Sequence, residues 1–123
     1  MVKASLVLVP LAVVACAHDR PWMPERLQDT YVKDFTSTDA SCTRADVSLG
    51  HAQAAAFFKR ATNLDRHILN DNYPVAPCYL EGTTRYNKEN CDWEISAAQT
   101  GVIKCPGTTF YFACDTCQDL FSK

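Results

Sequence analysis

An excess of charge of either sign is missing from this sequence: 12 Lys and Arg stand against 14 Asp and Glu, a formal net charge of −2. No basic run gathers anywhere, which removes the electrostatic case for nucleic acid or an anionic membrane surface as a partner. Long hydrophobic runs are equally scarce. The longest, Ala4 to Ala15, holds about a dozen residues and is interrupted by Pro10, whereas a hydrocarbon core takes roughly 20 helical residues to cross. Catalytic signatures are lacking too: no G-x-S-x-G or H-E-x-x-H surrounds His18, His51 or His67, so hydrolysis has no local support and the histidines read as exposed. Internal repeats and low-complexity tracts are absent. At 123 residues, with a leader to subtract, one modest core fits and a second domain does not.

What is present begins with a targeting segment. Lys3 gives a positive start, the apolar run follows, and polar sequence resumes at His18, the pattern of an export signal. The chain also holds seven cysteines. Cys16 lies inside the leader; setting it aside leaves Cys42, Cys78, Cys91, Cys105, Cys114 and Cys117, an even set. In a short exported domain these read as up to three disulfides, with roughly 15 connectivities open.

At the end of the signal, Val13-Val14-Ala15-Cys16 resembles the lipobox of bacterial lipoproteins. The resemblance implies that residues 1–15 are removed and that Cys16 becomes the lipidated N-terminus. Ala17 after it implies the outer membrane, facing the periplasm. A lipid there would also occupy the cysteine that the disulfide arithmetic leaves over. Cleavage after the small-any-small triplet Ala15-Cys16-Ala17 is the rival, and it predicts a soluble secreted protein.

Residues 16–40 read as a polar tether, with Pro21 and Pro24 near its start. Within it Leu27, Tyr31 and Phe35 recur every four residues, which predicts a short helix over Glu25 to Phe35. A single domain is expected over 41–123. Its clearest element is an amphipathic helix from His51 to Leu69, with Ala54, Phe57, Phe58, Ala61, Leu64 and Ile68 on one face and Ser48 or Gly50 as N-cap. Asn70-Asp71-Asn72 before Tyr73-Pro74 stops it.

After Pro77 the period changes from helical to alternating. Strands are expected over Cys78 to Tyr86, Cys91 to Ala97, Val102 to Cys105 and Thr109 to Cys114, joined by turns at Asn87 to Asn90, Gln99 to Gly101 and Pro106 to Thr108. The expected fold is α+β: a four-stranded antiparallel meander carrying one helix, with Trp93 and Ile95 facing Phe57 and Phe58. With the first hairpin centred on Asn87 to Asn90, Gly82 falls opposite Ile95 and leaves room beside Trp93. Cys78 and Cys91 then share a face at opposite ends of the hairpin, too far apart to bridge.

Chemistry has few candidates. Cys114-Asp115-Thr116-Cys117 has the spacing of a thiol-disulfide pair, but without a βαβ unit around it each cysteine is expected to staple the C-terminal tail to a different part of the domain. A zinc site would need two more ligands from Cys78, Cys91 or His67, and no second close pair supplies them. Glu81 and Glu94 share the outward parity of adjacent strands, compatible with a carboxylate pair and equally with a solvated face. On that face Tyr79, Glu81, Arg85, Asp92, Glu94 and Tyr111 mix aromatic area with charge, which suits protein binding. No cofactor and no metal is expected. The function expected is a non-enzymatic, lipid-anchored envelope protein that binds another protein, as an inhibitor or immunity-type factor would. A thiol-disulfide oxidoreductase using Cys114 and Cys117, or a purely structural envelope component, are the alternatives.

Overall fold

The structure, a computed structural model, describes residues 21–121. His18 and the Val13 to Cys16 motif lie outside the described residues. The chain runs through β1 (Leu27–Ser37), α1 (His51–Arg60), β2 (Thr62–Leu64), α2 (Arg66–Asn72), β3 (Cys78–Tyr86), β4 (Glu89–Ser96), β5 (Thr100–Cys105), β6 (Thr108–Ala113) and α3 (Gln118–Phe121). The fold is α+β, as expected, but its antiparallel sheet has six strands in the order β1-β3-β4-β5-β6-β2, not four.

The expected meander forms its centre. Along β4, Cys91, Trp93 and Ile95 are buried while Asp92 is exposed and Glu94 and Ser96 are half-buried. Alternation of this kind commits one face of each strand to the core. Gly50 caps α1, taking the Gln53 side chain on its own N–H at 2.9 Å, and the helix lays Ala54, Phe57 and Phe58 across the sheet. The Phe58 ring meets Trp93 at 5.8 Å and Phe112 at 5.1 Å, both edge-on. Trp93 also donates from Nε1 to the Thr83 carbonyl at 2.9 Å, so its one polar atom is satisfied inside the core.

The register of the first hairpin differs from the expected one by two residues. Its turn is the pair Asn87 and Lys88, with φ of 53° and 69°, and Glu89 already pairs with Tyr86. Two left-handed residues make the turn whose twist matches the strands it joins. Gly82 therefore lies opposite Trp93, and Leu80 opposite Ile95. A shift of two preserves parity, which is why the buried face is still the expected one. At Gly82 a Cβ would fall 1.9 Å from the Tyr31 carbonyl oxygen and 2.6 Å from the Trp93 ring.

Both added strands come from segments expected to be helical or tethering. In place of a helix over Glu25 to Phe35 there is a single 3-10 turn at Pro24–Arg26, and then β1 pairs antiparallel with β3. Register shifts between Gln28 and Tyr31 and between Val32 and Asp34 insert extra residues into β1. Its more buried positions, Leu27, Thr30, Val32, Phe35 and Thr36, are thus spaced three, two, three and one apart, a rhythm that hides a strand. The sheet accordingly includes residues ahead of 41.

The second departure is the single helix from His51 to Leu69. It ends at Arg60, and Thr62–Leu64 pairs with β6, whose outer edge would otherwise expose unpaired backbone groups. Asp65 then caps a new helix, accepting from the His67 N–H at 3.1 Å. Ile68, expected inside, is 46% exposed.

Three disulfides close the fold: Cys42–Cys78, Cys91–Cys105 and Cys114–Cys117. Cys78 and Cys91 are indeed not bridged. Cys114 and Cys117, however, bond to each other and do not staple the tail to separate parts. At the other end Trp22 stacks on Tyr86 at 4.7 Å and meets Phe112 edge-on at 4.8 Å, so the chain enters the domain already packed.

Candidate binding face

One face of the sheet is spent on the core, so any site on the sheet lies on the other. Cross-strand pairing there sets up a continuous row: Leu64 on β2, Tyr111 on β6, Val102 on β5, Glu94 on β4, Glu81 on β3 and Asp34 on β1, each directly opposite the next. Half of the row is apolar or aromatic. The other half is three carboxylates in succession.

Over the apolar half a groove of about 370 Å³ opens between the sheet and the arm that follows α2. Tyr79, Val102 and Tyr111 form its floor, Leu69 contributes from α2, and Tyr73, Pro74 and Val75 from the arm. Val75 is 95% exposed, an apolar side chain at the groove with almost nothing over it. Over the acidic half lies an open dish of about 480 Å³ lined by Asp34, Glu81, Asp92 and Glu94, with Lys33 and Lys104 the cations in it. Groove and dish share Glu94 and Lys104, which form an ion pair at 3.2 Å. Among the described residues, neither the Glu81 nor the Asp34 carboxylate has a hydrogen-bond or ion-pair partner.

The arm is held from the C-terminal side. Tyr73 lies within 3.4 Å of both carboxylate oxygens of Asp115, and burial, together with that carboxylate, holds its phenol above the ordinary value. Asp115 sits inside the loop closed by Cys114–Cys117. Arg60 clamps the same loop, donating to the Thr116 carbonyl and pairing with Asp119 at 2.9 Å. The disulfide thus fixes a loop on which one wall of the groove depends.

Of the six residues expected on a binding face, five line the groove or the dish: Tyr79, Glu81, Asp92, Glu94 and Tyr111. Arg85 stands apart, near the hairpin tip, where it donates to the Lys88 carbonyl at 3.1 Å. Glu81 and Glu94 are direct cross-strand neighbours, closer than the expected register would put them. Tyr73, Val75 and Val102 were not singled out from the sequence. The proline stop at Tyr73-Pro74 was visible, but nothing local says that the chain beyond it folds back over a sheet.

The other candidates are dispersed. His51 supports β1, accepting from the Val32 N–H on Nδ1 at 2.9 Å, and His67 sits exposed on α2, 3.4 Å from Asp71. All six cysteines among the described residues are in disulfides, so none of them offers a thiolate to zinc, and among those residues no cluster of three or more His, Cys, Asp and Glu could hold a metal ion. Cys114 is 3% exposed and Cys117 fully buried. Three disulfides mark an oxidising, exported environment. No helix among the described residues is long and apolar enough to cross a membrane. Comparison with models of known families, with curated proteins and with solved structures gave no match.

Proposed function

We propose that this chain is a non-enzymatic envelope protein, tethered to the outer membrane on its periplasmic side through a lipid on Cys16, that binds another protein with the outer face of its sheet. The observation that carries this reading is the groove. Three tyrosines and several aliphatic side chains line an open surface, and Val75 is left almost wholly in water beside it. Tyrosine supplies large contact area at low entropic cost, and such a surface rimmed by charge has the composition of an interface core and rim. A small, stapled binder of this kind acts as an inhibitor or immunity-type factor does, by occupying its partner.

Photocrosslinking in the intact envelope tests the binding reading. A photoreactive residue at Val102 or Tyr111 is expected to give one discrete adduct, and the same residue at Lys88 on the hairpin tip none. Equal adducts from all three positions, or none from Val102 and Tyr111, would sink it. The anchor is tested separately: Cys16→Ser should abolish palmitate labelling and release the protein from the membrane fraction.

One observation favours a thiol-disulfide enzyme as the second reading, namely that Cys114 and Cys117 are bonded to each other. Their burial opposes it, because exchange needs a thiolate to reach an accessible sulfur. Selective reduction of this pair under mild thiol, with the other two disulfides intact, would favour the enzyme.

A further inference from the structure

Resting on that reading, we infer that the outer face receives an extended segment of the partner protein that carries aliphatic or proline residues and, a few residues on, lysine or arginine. The row across the sheet changes character once, between Val102 and Glu94, and does not change back. Strands lie about 4.8 Å apart, so Val102 and Glu81 are separated by roughly 10 Å, a distance an extended chain covers in about three residues at ~3.3 Å each. An occupant aligned with the row therefore meets tyrosines and aliphatics with one part and carboxylates with the next.

The tyrosines suit the first part of that segment. Aromatic-lined grooves take proline-rich chain because it is already extended and loses little entropy on docking, and aliphatic side chains in it add apolar contact. The acidic half sets the charge of the second part. Four carboxylates face two amines in the dish, and Lys104 is already engaged with Glu94. Asp34, Glu81 and Glu94 stand directly opposite one another across three strands, an arrangement that destabilises the free sheet. A cationic side chain placed over Glu81 relieves this repulsion, and an anionic one adds to it. The same field repels anionic lipid headgroups and nucleic acid.

Peptide titration followed by amide shifts in the intact disulfide-bonded domain tests this directly. The probe is the heptapeptide Leu-Pro-Ile-Pro-Lys-Arg-Lys, compared with counterparts carrying three glutamines or three glutamates in place of the basic residues. The basic peptide is expected to shift Tyr111, Val102, Glu94 and Glu81 together and to bind about tenfold more tightly than the glutamine peptide at low salt, with the gap closing as salt is raised. Glu81→Gln should weaken the basic peptide about threefold and leave the glutamine peptide unchanged, while the free variant melts slightly higher than the parent. A glutamine or glutamate peptide that binds as well as the basic one overturns the inference and leaves the protein-binding reading standing. If no peptide shifts the row, the inference falls as well, and the crosslinks from Val102 and Tyr111 decide independently whether a partner is bound there.

Discussion

The two faces of this sheet obey different rules. On the inner face Leu80, Trp93, Ile95, Ile103 and Phe112 are buried against Phe57 and Phe58, and at Gly101 an added Cβ would come within 2.9 Å of the Phe57 ring. Any change of volume is felt there. On the outer face the same strands carry Val102, Glu94, Glu81 and Asp34 in a row, with like charges opposed. Folding alone would not choose that row. One face, with the disulfides, supplies the stability; on the proposed reading the other keeps an arrangement that costs stability because it suits a partner.

The strongest way to break the comparison is at Trp93. Its ring is central to the inner face, and Trp93→Ala should cost about 3 to 5 kcal/mol, enough to threaten a domain of this size. A variant that melts within a degree or two of the parent would mean that the inner face is not where the stability lies. Next in size are the staples. In the chain-entropy account, loops with sequence separations of 36, 14 and 3 correspond to about 4, 3 and 2 kcal/mol for Cys42–Cys78, Cys91–Cys105 and Cys114–Cys117. Replacing each pair by alanines and comparing urea midpoints should reproduce that order. The first two staples hold inner-face residues, Cys78 and Cys91. The third closes the loop behind the groove, so its loss should cost least in stability while loosening Tyr73, and a reversed order would blur the division between the faces.

Legibility in the sequence follows the same division. Strands β3 to β6 and the buried side of α1 were readable because strict alternation and helical spacing both report burial on one face. The hairpin register was not, because four polar residues from Asn87 to Asn90 suit a longer turn as well as the two-residue one that forms. That difference decides the site: it moves Glu81 directly opposite Glu94. Strand β1 was hidden by its bulges. Strand β2 was hidden because Ala61, Leu64 and Ile68 continue the period of α1 past its end, although Asp65 before Arg66-His67 was a visible cap signal. Edge strands are the elements whose formation depends on a partner elsewhere in the chain, here β3 and β6, and no local pattern states that a partner is available.

The smallest expected effect concerns the charges that support the outer face. Asp119 is held below the ordinary carboxylate range, chiefly by its hydrogen bonds from Arg60, whose guanidinium is pushed up in return. A carboxyl whose folded value is depressed adds stability that is fully present above its unfolded value of about 3.9 and is lost as pH falls through the folded value. The pair is exposed, so solvent screens it and its contribution is slight. Asp119→Asn should therefore lower the urea midpoint a little near neutral pH, and the midpoints of variant and parent should converge as the pH falls through the depressed folded value. A gap of the same size at pH 2 and pH 7 would mean that Asp119 acts through packing and not through its charge. Convergence would sharpen the comparison between the faces, because the clamp behind the groove would respond to acid while the apolar contacts of Trp93 and Phe58, which carry no charge, would not.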